Sequence, residues 1–245
     1  MEPGTTIHVE LGTAATPILL RWNTRAYWTE PFAKWGHDDA YAIITDDGVV
    51  LIDPREPAAE KLTELESGWS GRPVASLLTN AWHEQDCYGF RERYKSPVWS
   101  AAAGESEHDG EPDHFFVEGD ELPGGIEAVV LSDGFCGDTV FFWTAPDGER
   151  VAFVGDAVSA QIRDGEIDFH LQIYGRPTLD DYRAAFQRVA DREIDMMCLA
   201  HGGCMADDPG KRLRHTLQND QLYRNEWPAT VMPPPGRKPP DRSLE

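Results

Sequence analysis

The sequence predicts an α+β fold in which two β-sheets pack face to face and helices cover their outer surfaces, a four-layer αββα sandwich. Two observations carry this prediction. Strands dominate the early part of the chain, and strand–helix units then follow in each half, without a short-period repeat. With 245 residues and 40% hydrophobic content, the chain can bury a full core.

The first half of the chain is predicted to form mainly strands. Asp46-Asp47-Gly48 separates two apolar segments and indicates a hairpin, because Asp and Gly accept the unusual dihedral angles of tight turns. Two prolines within Asp53–Pro57 end the second strand of this hairpin. The predicted strands are Thr5–Leu11, Pro17–Trp22, Tyr41–Thr45, Val49–Ile52, Val74–Thr79 and Pro97–Ala101, with helices over Ala58–Ser67 and Gln85–Tyr94 and a loop over Glu105–Asp113.

The second half is predicted to begin as a strand meander and to continue with strand–helix units. Leu179–Ala190 has the apolar spacing of an amphipathic helix, and another helix is expected at about residues 207–223. Residues 1–228 are expected to form one domain, whereas the Pro-rich residues 229–245 are expected to be a flexible tail. The predicted strands of this half are His114–Val117, Ile126–Leu131, Thr139–Thr144, Val151–Val154 and Asp195–Ala200.

The chain is strongly acidic, with 43 acidic against 22 basic residues and a formal net charge of −21. Nucleic acid and anionic membrane surfaces are therefore disfavoured as partners, because both need clustered Lys and Arg. The acidity indicates either adaptation to a salt-rich cytoplasm or an ordinary acidic protein. The first residues lack a basic region followed by an apolar run, and the four cysteines form no CxxC pair, so a cytoplasmic protein with reduced thiols is expected.

Three polar clusters directly follow predicted strands. The first contains His83, Glu84 and Asp86, and the others contribute Asp156 and His201. Because sites collect at strand ends in layered α/β folds, these side chains are expected to converge. Imidazole and carboxylate are the usual ligands of zinc, and they also suit iron or manganese. One bound divalent ion would then lower the pKa of its water for hydrolysis.

Five segments, in this order along the chain, resemble motifs of the metallo-β-lactamase superfamily. Tyr41–Pro54 resembles the opening hairpin of that superfamily, and Leu77–Phe90 resembles the segment with the THxHxDH motif. Ser132–Phe142 is similar to the PGHTPGDT region, Phe153–Val158 to the segment with the bridging Asp, and Leu199–Gly203 to the last His motif. The resemblance covers most of residues 40–215 and implies the αββα fold of that superfamily with a hydrolytic metal centre.

The sequence departs from the superfamily pattern at the ligands of the first metal site. In gapless register, Asn80 and Trp82 occupy the first two His positions of THxHxDH, Glu84 the Asp position and Gln85 the final His position. Phe135 replaces the His of the third motif. Because none of the three His ligands of that site is kept, the resemblance implies a reduced, mononuclear centre with at most one tightly bound ion.

The first polar cluster has two possible registers at the site. The gapless register presents Glu84, whereas a shifted register presents His83 and Asp86. We favour the shifted register, because an imidazole with a carboxylate makes the better ligand set beside Asp156 and His201, which both match their motifs. His83 and Asp86 are also three residues apart, which places them on one face of a helical turn.

Three further residues near these motifs could be either metal ligands or structural residues. Cys87 and Cys136 could be soft ligands, but they are expected to be small hydrophobic side chains in a reduced core. Asp53 is expected to hold a turn through hydrogen bonds and not to bind metal.

The sequence thus predicts a metal-dependent hydrolase that acts on a small ester, thioester or lactone. One divalent ion, zinc before iron or manganese, would be held by His83, Asp86, Asp156 and His201, with Asp86 and Asp156 as the catalytic carboxylates. The alternative is a non-catalytic protein of the same fold that binds a small ligand. A metal-dependent oxidoreductase is the third hypothesis, because carboxylate–His sites also suit iron.

Overall fold

The structure of the protein is a computed structural model that describes residues 5–25, 37–69, 72–131, 136–163, 166–173, 179–218 and 222–224. The predicted flexible tail at 229–245 and the position of Phe135 lie outside these residues. Within the described part of the chain, no helix is both long enough and apolar enough to cross a membrane.

The first sheet has seven strands whose order in space follows their order in the chain. Neighbours are antiparallel through the first four strands and parallel through the last four. The strands are β1 (Ile7–Gly12), β2 (Pro17–Arg25), β3 (His37–Thr45), β4 (Gly48–Ile52), β5 (Pro73–Leu77), β6 (Val98–Ala101) and β7 (His114–Phe116).

The second sheet has five strands and a small third sheet has three. The five-stranded sheet contains β8 (Glu127–Val130), β9 (Thr139–Thr144), β10 (Arg150–Val154), β13 (Met196–Leu199) and β14 (Gly203–Met205), and the small sheet contains β11 (Val158–Arg163), β12 (Glu166–Ile173) and β15 (Leu222–Arg224). The spatial order of the larger sheet is β14-β13-β10-β9-β8, with β10 and β13 parallel. The loops after β10 and β13 therefore leave the same edge of this sheet.

Helices cover the outer faces of the two large sheets. They are α1 (Ala59–Ser67), α2 (Cys87–Tyr94), α3 (Leu179–Ala190) and α4 (Pro209–Gln218). Leu65 of α1 and Phe90 of α2 pack with the outer side chains of the first sheet. Phe186 of α3 and Leu213 of α4 belong to the cluster on the outer face of the second sheet. A third apolar cluster lies between the sheets, so the predicted αββα sandwich is confirmed.

Strand β4 shows how the sequence specifies these layers. All five of its residues are buried. Val50 and Ile52 belong to the cluster between the sheets, whereas Val49 and Leu51 belong to the cluster under α1 and α2. Side chains alternate between the two faces of a strand, so an apolar residue at every position indicates a strand with both faces covered. Each such side chain contributes about 1.5–3 kcal/mol through burial.

Some elements differ from the sequence prediction. The helix predicted from Gln85 begins only at Cys87, because a 3-10 turn over Ala81–Glu84 precedes it. The last predicted helix ends at Gln218. Strands β11 and β12 form an antiparallel hairpin that the sequence analysis did not assign.

Candidate metal centre

The loop after β5 brings His83 into the interior. Asn80 precedes the 3-10 turn, and its side-chain oxygen accepts a hydrogen bond of 2.9 Å from the amide of Trp82. Ser, Thr, Asn and Asp commonly cap a helical turn in this way, because an amide there has no partner within the turn. The turn leaves the whole His83 residue only 3% exposed.

A single carboxylate oxygen joins two histidines from different strand ends. Asp156 follows β10, and its Oδ1 lies 3.0 Å from Nε2 of His83. The same oxygen lies 2.8 Å from Nε2 of His201, which follows β13. Within the described residues, these three side chains form a group whose potential ligand atoms all lie within 4.8 Å of one another. The structure thus brings together three of the four residues predicted as ligands, although their role as ligands stays a prediction.

Each histidine has a second carboxylate on its other ring nitrogen. Nδ1 of His83 lies 2.8 Å from Oδ2 of Asp53, and Nδ1 of His201 lies 3.1 Å from Oδ1 of Asp38. Asp53 is itself held by Thr79, whose amide and hydroxyl donate to it at 2.8 and 2.5 Å. The hydrogen bond with Asp53 fixes the orientation of the His83 ring and directs its Nε2 towards the shared centre, and Asp38 places a carboxylate beside the corresponding nitrogen of His201.

These contacts determine the charges of the group when no metal is bound. Burial alone would lower the pKa of His83, but the carboxylates of Asp53 and Asp156 outweigh it and raise that pKa to about 10. Burial is likewise outweighed at His201, where Asp156 and Asp38 raise the pKa to about 9. Burial would raise the pKa of Asp156, but the two imidazoles hold it well below its usual range. Both imidazoles are therefore protonated at neutral pH in the metal-free protein.

The donor set fits one divalent ion. Two imidazole nitrogens and one carboxylate oxygen are the three-ligand set of zinc hydrolases, which keep a further position for water. Ligand atoms at the tetrahedral zinc distance of about 2.0–2.1 Å lie about 3.3 Å apart, close to the 2.8 and 3.0 Å that separate the Asp156 oxygen from the two imidazole nitrogens. The carboxylates on both Nδ1 atoms complete the outer contacts that ligating histidines usually make.

The structure corrects the expectation for Asp86, which does not join this group. Its Oδ2 accepts a hydrogen bond of 3.0 Å from the amide of Glu56. The prediction assumed one helical turn from His83 to Asp86, but the 3-10 turn ends at Glu84 and Asp86 precedes α2. Asp86 therefore lies outside the group formed by the other three predicted ligands.

Glu84 also points away from the shared centre. Its carboxylate accepts hydrogen bonds from the hydroxyl of Tyr88 and the amide of Asp109, and lies 2.9 Å from Nδ1 of His108. Of the two registers, the structure has the one in which His83 faces Asp156.

A small apolar cluster includes one of the positions that the resemblance aligns with the first-site histidines. Trp82 packs with Ala81 and Cys136 there, and Trp82 is buried. Burial raises the pKa of the thiols of Cys136 and Cys87, and neither thiol belongs to the group of three. The two cysteines thus have the environment of small hydrophobic side chains.

Sequence reasoning missed Asp38, and it assigned Asp53 only a role in a turn. Asp53 does hold the loop through Thr79, but it also contacts His83. Asp38 lies near the start of β3, far along the chain from His201, and nothing in its local sequence indicates the contact. Both carboxylates are almost fully buried, at 1% and 2% exposure.

The fold is that of the metallo-β-lactamases. Similar solved structures include the metallo-β-lactamase DIM-1, with a TM-score of 0.64, 14% sequence identity and coverage of 90% of this chain and 99% of that chain. A metallo-β-lactamase from Hirschia baltica gives a TM-score of 0.62 at 14% identity, covering 88% of this chain and 98% of that one. FIM-1 from Pseudomonas aeruginosa, in its mono-zinc form, gives 0.60 at 12% identity, covering 90% and 97%. No protein-family model and no curated protein sequence matches the chain. The predicted resemblance is thus confirmed for the fold.

Proposed function

We propose that the protein is a metal-dependent hydrolase that acts on a small ester, thioester or lactone with one divalent ion, zinc in the first place. The observation that carries the proposal is the convergence of His83, Asp156 and His201 from separate strand ends onto one centre. A single ion is supported because the described residues contain one such group of three.

The chain's own residues would position the ion and move the proton. A bound zinc ion would lower the pKa of its water to about 7 and polarise a substrate carbonyl. Asp53 and Asp38 would keep the two rings oriented, since each contacts an Nδ1 atom. Asp156 faces both imidazoles through Oδ1, which leaves Oδ2 as the other oxygen of the same carboxylate. We assign this second oxygen the role of proton acceptor, as general bases must lie beside the group that they deprotonate.

Acyl transfer suits the centre better than phosphoester cleavage. Enzymes that displace phosphoester groups commonly use two ions to stabilise the attacking and the leaving oxygen. Here the small apolar cluster of Trp82, Ala81 and Cys136 includes one of the positions that the resemblance aligns with the first-site histidines. The net charge of −21 also repels phosphorylated substrates.

One observation favours a second candidate. Two histidines and one carboxylate with open positions are also the ligand set of non-haem iron(II) oxygenases. An oxidoreductase that uses iron would therefore have the same three ligands. The remaining alternative is a non-catalytic protein that binds a small ligand. Such a protein would keep the same three side chains but would not turn over a substrate.

The test compares metal content and turnover in the same preparations. Metal-free protein is reconstituted with zinc, iron(II) or manganese and assayed on a nitrophenyl ester, an acyl thioester and a lactone. We expect one ion per chain and chelator-sensitive hydrolysis, both lost in His201→Ala and kept in His114→Gln, an exposed histidine of β7. Two ions per chain, or hydrolysis that a chelator leaves unchanged, would overturn the proposal. Oxygen consumption only with iron would support the oxidoreductase, and one bound ion without turnover would support the non-catalytic alternative.

A further inference from the structure

The strand pair that carries His201 places two cysteines directly opposite each other. Strands β13 and β14 are antiparallel, and their register pairs Cys198 with Cys204. Opposite residues in such a pair have Cα atoms about 4.5–5.5 Å apart, within the range of about 4.4–6.8 Å found in disulfides. The two Sγ atoms are 3.0 Å apart, and both thiols are free. A bond between them therefore requires little movement of the backbone.

The two thiols differ in their access to solvent. Cys198 is completely buried, whereas Cys204 is partly exposed on β14, the edge strand of its sheet. The thiolate is the form that attacks a disulfide, and burial raises the pKa of Cys198 well above its usual range. An oxidant from solution should therefore react with Cys204 first.

We propose that Cys198 and Cys204 are a reversible disulfide site that reacts with low-molecular-weight disulfides and braces the hairpin carrying His201. In the first step the Cys204 sulfur attacks one sulfur of the small disulfide, forms a mixed disulfide and releases one small thiol. In the second step the Cys198 sulfur attacks the Cys204 sulfur and releases the second small thiol. The protons of the two protein thiols go to the two released thiols, and the small disulfide is reduced as the protein is oxidised.

The position of this pair gives oxidation a structural consequence. The hairpin turns at Gly202 and Gly203, whose φ angles of 142° and 74° lie in the region that favours glycine. The amide of Gly203 donates to Asp39 at 3.0 Å, and His201 lies on the same turn. Cys198 and Cys204 lie three residues before and three residues after His201, so a disulfide between them would restrict the motion of this turn. The proposal needs no metal and stands apart from the proposed hydrolase.

The test uses glutathione disulfide as the oxidant under native conditions. After incubation at mildly alkaline pH, we expect wild-type protein to lose two of its four thiols and two hydrogen atoms of mass, without retained glutathione. Cys198→Ala should retain one glutathione on Cys204, whereas Cys204→Ala should retain none, since Cys198 is buried. Amide hydrogen exchange of Gly202 and Gly203 should slow on oxidation of the wild type.

Cys87→Ala is the matched control, because Cys87 is buried at the start of α2, outside this strand pair. It should still form the disulfide, and circular dichroism is used to check that each variant is folded. Three results would overturn the proposal: four thiols remaining in the wild type, stable glutathione on its Cys204, or a disulfide that peptide mapping assigns to another pair.

Discussion

Metal binding by His83, Asp156 and His201 should release protons. With pKa values of about 10 and 9, His83 and His201 are both protonated at neutral pH, and both must lose the proton on Nε2 to bind an ion. Each protonated imidazole ligand contributes a factor of about ten in apparent affinity per pH unit. The affinity should therefore rise about a hundredfold per unit between about pH 7 and 8, with about two protons released per ion. Asp156 contributes nothing to this slope, because it is already ionised.

Calorimetric titration in buffers of different ionisation enthalpy measures the released protons, and competition with a chromophoric chelator measures the affinity. His83→Gln should bind more weakly and reduce the slope to about tenfold per pH unit. Denaturant melts of the metal-free protein at several pH values test the raised pKa values independently. The raised imidazole pKa values stabilise the metal-free protein fully below about pH 6.5, and this contribution should disappear as the pH rises through about 9 to 10. An affinity that does not change with pH would refute the reasoning.

Three further predictions concern stability. Asp156→Asn should lower the unfolding free energy of the metal-free protein by about 3 kcal/mol at neutral pH, because it breaks a buried ion pair. Glu92→Gln, which breaks the exposed pair with Lys95, should cost less than about 1 kcal/mol in the same denaturant melts. Gly155→Ala should cost about 1–3 kcal/mol and weaken metal binding, because the new Cβ would lie 2.9 Å from Cβ of Thr79 and overlap its hydroxyl. In Gly89→Ala the new Cβ has no atom within 4 Å, so this substitution within α2 should raise the free energy of unfolding by about 0.5–1 kcal/mol. A loss of stability in Gly89→Ala would show that the cost of Gly155→Ala does not come from the contact with Thr79. If the net charge of −21 reflects salt adaptation, thermal stability should keep rising with KCl beyond about 1 M. At that concentration the Debye length is about 3 Å, so simple screening is largely complete. A melting temperature that is unchanged between low and molar KCl would argue against salt adaptation.

Local patterns predicted the strands of the two large sheets except β14 (Gly203–Met205), and three residues of the centre, His83, Asp156 and His201. The strands β9 (Thr139–Thr144) and β4 (Gly48–Ile52) were found almost residue by residue, because apolar runs between turn residues are local signals. Asp156 and His201 could be found for the same reason, since both directly follow such runs.

The contacts that complete the centre could not be predicted, because they join distant parts of the chain. His201 contacts Asp38 on β3, and no local pattern contains a contact across that separation. The pairing of Cys198 with Cys204 could not be predicted either, because it depends on the register of β13 and β14 and has no CxxC spacing. Asp86 was misplaced because the turn that contains His83 ends at Glu84, so the spacing of three residues does not lie within one helical turn.

The hairpin of β11 and β12 was missed although a signal for it exists. Asp164-Gly165 separates Val158–Arg163 from Glu166–Ile173, and Asp-Gly between two strand-like segments favours a tight turn. Both segments contain charged residues, which weakened the strand pattern.

The central claim is that one ion binds to His83, Asp156 and His201, and X-ray absorption at the zinc edge tests it most directly. Protein loaded with one equivalent of zinc should show two imidazole nitrogens and oxygen donors at about 2.0–2.1 Å. Single His83→Gln and His201→Gln variants should each lose one imidazole from that shell. A shell without imidazole, or one with sulfur at about 2.3 Å from a cysteine, would contradict the account.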